Sequence, residues 1–349
     1  MDAPPDPRPT TERGAPDRRA GDPPPDGSGR RGILRHPALK LVVGLLLAVG
    51  VGYVLYETWR DPRLWDEVRR RGFQPVPAIG AFLVMLATAT ATVPLWLILL
   101  RGVGGRVSAR DAFRIYLVSN LGKYLPGKVG HAAGRVVLLQ EKGVPAAVGV
   151  TSILVELALS LLGATIVSLM SMPLFLREQG LPEQLGVLTP LAFLALPAGL
   201  VGLHPRIMGP VLRLGSRMLP GGASLSSELP PYRTIVVLLV GYVVLWAAMS
   251  AGLFATARAI YPIPWENLPA VSGIAAISYL FGLAVPFAPA GLGAREGLMT
   301  ALLQTMMPLP VAAVASILYR AISISAEALA AVLAAFLARD RYGTPEHGK

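Results

Sequence analysis

The sequence predicts an all-α integral membrane protein of about six to eight transmembrane helices. Two Pro/Gly-broken segments, re-entrant or half-helical, are expected to be related by an inverted repeat. Three observations carry this reading. The 349 residues are 53% hydrophobic and 15% charged, with a mean hydropathy of +0.54, which sets the chain apart from soluble domains. Stretches free of Asp, Glu, Lys and Arg at 72–100, 184–205, 234–257, 267–294 and 297–319 each reach the roughly 20 residues needed to cross a bilayer. A Pro- and Gly-rich motif occurs twice, at 116–139 and 279–303.

Taken in order, residues 1–36 hold eight Pro and mixed charges, with too little apolar surface to offset the cost of ordering, and read as a disordered cytoplasmic tail. No short apolar segment with a small-residue cleavage site precedes the first span, so the tail is not a signal peptide. Arg30-Arg31 is expected to hold the N-terminus in the cytoplasm. The membrane domain is expected over 37–338, beginning with a span at 38–56 from whose end Lys40 can snorkel. Loop 57–75 lies outside; it is basic, but four acids partly balance it. A span at 77–100 returns to a loop with Arg101, Arg106, Arg110 and Arg114 against one acid, Asp111, which belongs inside. Spans at 145–171 and 186–204 lead to loop 204–233, also inside, with Arg206, Arg213, Arg217 and Arg233 against a lone Glu228. A span at 234–257 leads out, and one near 310–338 returns a short tail, 339–349, to the cytoplasm. Both termini are therefore expected on the cytoplasmic side of the cell membrane.

Composition excludes several mechanisms. The formal charge of +11 would suggest nucleic acid in a soluble protein, but here most Arg lies in loops that set topology, so no nucleic-acid partner is expected. Without Cys there is no disulfide, thiolate metal site, thiol nucleophile or lipidated Cys. There is no phosphate-binding loop for ATP, and the Gly-Leu-Gly run at 291–293 has the wrong third-glycine spacing for a dinucleotide fingerprint. Neither a metal-ligand cluster nor paired carboxylates at a membrane boundary stand near the motifs. No catalytic residue, metal or cofactor is expected. The small residues Ala87, Thr88, Ala89 and Thr90 suit close helix packing, within or between subunits.

At an offset of 163 the two motifs align: Tyr116, Leu117, Pro126 and Gly130 fall on Tyr279, Leu280, Pro289 and Gly293. One inserted residue then brings Leu138 and Leu139 onto Leu302 and Leu303, and Glu156 onto Arg320. Between equivalent points lie three clear spans and a pair of segments that add either no crossing or two. The number of crossings is odd, so the halves run in opposite directions, as in transporters that alternate access around a midplane site. Pro126 removes a backbone donor, while Gly127 and Gly130, like Gly291 and Gly293, permit tight turning. Such breaks are tolerated at membrane depth where protein or a water-filled cavity satisfies the freed groups. The half-helix that follows points a partial positive charge into that cavity. Asn120, Lys123, Lys128, His131 and Arg135 in the first half, with Arg295 and Arg320 in the second, are the candidate headgroup-binding residues. The alternative reading is that these cations snorkel to an interface and anchor topology. Whether the broken segments dip or span stays open at this point. Glu156, about a dozen residues into its span, needs a partner, since a bare charge there costs roughly 2.5–3.5 kcal/mol. Glu296 and Glu327 are the other intramembrane acids. Either the acids pair with the cations as structural glue, or they line the same cavity and switch partners as it opens.

The runs at 120–139 and 286–297, with Glu156 between them and Tyr319-Arg320 after them, resemble the transmembrane region of the lysylphosphatidylglycerol synthases, a flippase-like family. The resemblance covers about 38–338. Where that family usually carries Arg, Glu, Arg and Gly, this chain has Lys128, His131, Leu157 and Ala290. In the synthases a soluble domain transfers the aminoacyl group; only a short tail follows residue 338 here, so the resemblance implies translocation without synthesis. The expected function is flipping of a membrane lipid or lipid-linked intermediate through a basic cavity. The alternatives are a glycosyl- or phospho-transferase acting on a polyprenyl-phosphate, and a scaffold whose Pro-rich tail docks a lipid-biosynthesis enzyme. The protein partners to expect are a second copy of the chain or such an enzyme.

Overall fold

A computed structural model describes residues 72–124, 130–178, 197–216, 228–285, 291 and 293–337. The expected span at 38–56, the loop 57–71, most of the span at 186–204, and the terminal tails lie outside the described residues. So do Pro126, Gly127, Lys128 and Pro289. The described chain is helical, as the sequence predicts: α1 (Pro75–Gly102), α2 (Ala109–Asn120), a 3-10 turn (Leu121–Tyr124), α3 (Gly130–Gln140), α4 (Ala146–Glu178), α5 (Pro205–Ser216), α6 (Tyr232–Arg258), α7 (Leu268–Ala284), α8 (Ala294–Leu303) and α9 (Leu309–Leu337).

Five of these segments are long and apolar enough to cross a membrane: Pro75–Gly102, Ala146–Ser171, Tyr232–Arg258, Trp265–Ala284 and Leu309–Phe336. They are apolar around their circumference, as a helix with protein on one side and lipid on the other must be. On α6 the exposed Val237, Val240 and Val244 form one such outward row. The remaining helices beside the motifs are short. At 1.5 Å per residue, the 12, 11 and 10 residues of α2, α3 and α8 rise about 15–18 Å, roughly half the hydrocarbon thickness. Two uncharged stretches are accordingly divided. Residues 267–294 break after Ala284, and 297–319 is two helices joined by a turn at 304–307 rather than one span. Absence of charge marks where lipid or core is permitted, but backbone breaks at Gly and Pro decide where helices stop.

Local chemistry explains several boundaries. Pro75 occupies the first turn of α1, where its missing N–H costs nothing. Ser108 caps α2, its hydroxyl accepting the Asp111 N–H at 3.1 Å. Before α8, Gly291 and Gly293 adopt φ of +71° and +84°, conformations that strain any residue with a Cβ. Glu296 then turns back to accept the Gly293 N–H at 2.8 Å.

Helix lengths run long–short–short–long from α1 to α4 and long–long–short–long from α6 to α9, so the second half matches the first except that α7 is longer than α2. The starts of α3 and α8 lie 164 residues apart, and those of α4 and α9 lie 163 apart. Packing is reciprocal: α9 lies on α1 and α2, while α4 lies on α6 and α7. Among the described residues three apolar clusters result, a small one of Ala164, Val167, Trp246 and Ala276 and two larger ones. One joins Trp96, Leu99, Leu139, Leu159 and Ile235, and the other joins Leu253, Phe254, Met299, Leu303 and Tyr319. The tight approach of α1 to α6 depends on Gly241 and Gly252, which make room for Leu95 and Met85. Of the small residues expected to serve helix packing, Thr88 and Ala89 instead line a cavity.

Candidate functional site

Between the two hairpins lies a cavity of about 380 Å³. Asn120, Lys123, His131, Arg135, Arg295, Arg320, Glu156, Glu327 and Gly291 all line it. Residues as far apart as 120 and 327 thus meet in one place.

The hairpin arms reach this position through glycines. A Cβ on Gly122 would stand 2.7 Å from the Gly130 carbonyl carbon and the His131 nitrogen, so the arms of the first hairpin touch backbone to backbone there. In the second hairpin a Cβ on Gly291 would lie 3.0 Å from the Gly282 Cα, and one on Gly282 would lie 2.9 Å from Arg295 Cβ. Gly130 and Gly293 begin the returning helices in the two hairpins.

Each carboxylate is spoken for. Arg135, only 2% exposed, donates through Nη1 to Glu156 Oε2, and the Tyr116 hydroxyl donates to Glu156 Oε1. Arg135 Nε also donates to Ser119 Oγ at 3.3 Å, and its guanidinium lies over the Tyr116 ring at 4.0 Å and the Trp96 ring at 5.2 Å. Lys123 Nζ donates to Glu327 Oε1 at 2.7 Å, while the Tyr124 hydroxyl donates to Glu327 Oε2 at 2.8 Å. Arg320 Nε stands 3.5 Å from Glu296 Oε1. The seven-residue spacing of Arg320 and Glu327 puts them on one face of α9, yet each is paired with a different element: Arg320 with α8, Glu327 with the turn after α2.

Arg295 is different. It is 8% exposed, lines the cavity, and stands between the rings of Tyr279 and Tyr319, 5.5 Å from each centroid. Among the described residues no carboxylate lies within ion-pair distance of it. The Tyr242 hydroxyl, buried beside the cavity, has no hydrogen-bond partner among them either. The rest of the lining is largely apolar or aromatic, with Met85, Leu157, Leu245, Trp246, Met249 and Leu283, and adds the hydroxyls of Thr88, Thr92, Ser160 and Ser323. An amphipathic molecule is the kind of ligand that a cationic corner joined to an apolar wall can hold.

Sequence reasoning missed the tyrosines that hold these charges, Tyr116, Tyr124, Tyr279 and Tyr319, and the contact glycines Gly122 and Gly282. A signal was present for three of them, since Tyr116 and Tyr279 are aligned by the internal repeat and Tyr319 stands beside Arg320 in the family resemblance. At the protein's edge, Asp111 pairs with Lys142 at 2.7 Å, and this contact, with the Ser108 hydroxyl, holds its carboxyl below the usual carboxylate range.

A family model, that of the lysylphosphatidylglycerol synthase transmembrane region, matches residues 39–331. A comparison with curated proteins returns no match.

Proposed function

We propose, from the premise that this chain belongs to the lysylphosphatidylglycerol synthase transmembrane-region family, that it translocates a lipid or lipid-linked intermediate across the cell membrane. Membership makes it a membrane protein of lipid biosynthesis or flipping; translocation is the finer reading. The observation that carries it is the single cavity that gathers the cations of both hairpins against an apolar wall. A headgroup sits among Asn120, Lys123, His131, Arg135, Arg295 and Arg320, and the acyl chains stay on the side of Leu157, Leu245 and Leu283. The two halves alternate as an inverted repeat, and both termini face the cytoplasm, as the Arg-rich loops at 101–114 and 204–233 support. Lys128 is assigned to the same basic set.

The test is reconstitution of the full chain into phosphatidylethanolamine–phosphatidylglycerol vesicles carrying a trace of fluorescent phosphatidylglycerol, with a membrane-impermeant reductant added outside. Translocation brings inner-leaflet probe within reach, so bleaching proceeds past the outer-leaflet fraction. Bleaching that stops at the level of protein-free vesicles for every lipid probe tried sinks the reading.

A further inference from the structure

A second set of cations lies apart from the cavity, at the end of the bundle where α1 stops and α6 starts. The flanking segments meet there: a Cβ on Gly102 would lie 2.6 Å from the Pro230 Cβ, and one on Gly209 of α5 would lie 3.9 Å from Leu229 Cδ1. Lys142, just past α3, reaches Asp111 in the first turn of α2 at 2.7 Å, so α2 starts where α3 ends. Three helices change character at this level in the same way. On α6 the outward row of Val244, Val240 and Val237 ends in the exposed Arg233. On α1 the exposed Ile98 is followed by the exposed Arg101, and on α2 the exposed Val118 is preceded at four-residue steps by the exposed Arg114 and Arg110. Four residues of helix rise about 6 Å, so each row passes from apolar groups to guanidinium within roughly the depth of one headgroup layer. At the other end, Arg258 closes α6 packed on the Trp265 ring at 4.5 Å and donates to the Ile263 carbonyl at 3.1 Å, held by its own chain.

The helix α5 belongs to the same end. Its 12 residues, about 18 Å, are too short to cross a bilayer, and His204 Nδ1 accepts the Arg206 N–H at 3.2 Å as the helix begins. By helical register Ile207, Met208, Val211, Leu212 and Leu214 share one side, and Arg206 and Arg213 the other. Met208 is buried in the core, whereas Ile207 beside it is 42% exposed, so the protein covers only part of the apolar side. We propose that this end of the bundle is an anionic-lipid surface: α5 lies flat at the membrane boundary, and Arg101, Arg110, Arg114, Arg206 and Arg233 bind phosphate headgroups of the surrounding leaflet. None of these residues lines the cavity, and the proposal is independent of what the cavity carries. At headgroup depth the abundant anion is lipid phosphate, which a guanidinium fork meets with two charge-assisted hydrogen bonds. An apolar side under a basic one is the pattern of helices that lie in the plane of an anionic interface, and each arginine near that surface adds to the attraction. The acids at this end among the described residues are Asp111, Glu141 and Glu228, and Asp111 is held by Lys142.

The chain has no Cys, so Ile207→Cys supplies a single attachment point for a fluorescent bimane on an exposed position of α5. The labelled full chain is placed in phosphatidylcholine nanodiscs with a small, equal fraction of a lipid bearing a nitroxide at carbon 5 of one chain, either phosphatidylglycerol or phosphatidylcholine. The expected result is quenching by both probes, with the phosphatidylglycerol probe enriched about fivefold around the label. Changing Arg110, Arg114, Arg206 and Arg233 together to Gln should abolish the enrichment, and changing them to Lys should keep it. Molar salt should abolish it with the arginines in place, a readout that needs no variant at those positions. Equal quenching by the two probes overturns the preference for anions. No quenching by either overturns the placement of α5 at the membrane boundary and assigns the basic face to an acidic soluble partner. An enrichment that survives both the Gln set and salt overturns the role of the arginines.

Discussion

The Arg135–Glu156 pair permits a quantitative test of how charge is held in this membrane domain. Arg135 is 2% exposed and the Glu156 side chain 12%, so both ends of the pair are away from water. Arg135→Gln leaves a buried carboxylate whose remaining donor is the Tyr116 hydroxyl, and stranding a buried charge in this way costs about 3–5 kcal/mol. Glu156→Gln strands the guanidinium. That cation keeps Ser119 and the faces of Tyr116 and Trp96, and a desolvated cation–π contact returns about 2 kcal/mol, so the net cost falls to about 1–3 kcal/mol. Changing both to Gln removes both charges and leaves two amides able to bond to each other, at a cost of about 0–2 kcal/mol. The double-mutant cycle should therefore show a coupling of about 5 kcal/mol. The assay is equilibrium unfolding in mixed micelles followed by tryptophan emission, for which Trp96 is a local reporter. Effects of the single changes that add within about 0.5 kcal/mol would refute the argument.

Three further outcomes are expected. Gly291→Ala places a Cβ at φ +71° and 3.0 Å from the Gly282 backbone, so it should cost about 1–3 kcal/mol and weaken lipid retention as it shifts Arg295; unchanged retention on native mass spectrometry would argue against the hairpin contact. Asp111, whose folded pKa is lowered, adds stability above its unfolded pKa, and that stability is lost as pH falls through the folded value; Asp111→Asn should flatten this acid limb of the melting curve, and an unaltered limb would assign it to other groups. Deleting residues 1–36 should leave lipid bleaching in vesicles unchanged if the membrane domain itself translocates, whereas loss of activity would favour a scaffold docked through the tail.

How much of this was legible in the sequence follows from what periodicity and charge can encode. The spans at 77–100, 145–171, 234–257 and 310–338 appear within a few residues as α1, the membrane part of α4, α6 and α9, because uncharged length is what a bilayer selects. The two motifs lead to one cavity because the cations at 123, 135, 295 and 320 are unaffordable anywhere else at that depth. Their pairing was not legible. Lys123 meets Glu327 across 204 residues, and no spacing rule reaches so far. The division of 297–319 into two helices was missed because the run is apolar throughout, while the break falls at the turn before Pro308. The contact glycines were hidden for another reason. Gly122 and Gly282 matter through what lies opposite them, and a sequence shows only what lies beside them.

The arithmetic of the cavity bears on how such a site could move a charge through a bilayer. On insertion scales each cation at this depth costs about 2.5–3.5 kcal/mol when bare. Three are compensated by carboxylates from other elements: α4 for Arg135, α9 for Lys123 and α8 for Arg320. For Arg295, cation–π contact with two tyrosines offsets about 2 kcal/mol, so a residual cost of about 1 kcal/mol remains that no carboxylate among the described residues compensates. Glu296 stands behind the cavity lining, where it pairs with Arg320. If Glu296, already within 3.5 Å of Arg320 and adjacent in sequence to Arg295, exchanges one for the other, the open cation moves from α8 to α9 without any stage at which a carboxylate is bare. A bound anion following that open position would be handed from α8 to α9, and the step would exchange one ion pair for another instead of breaking one.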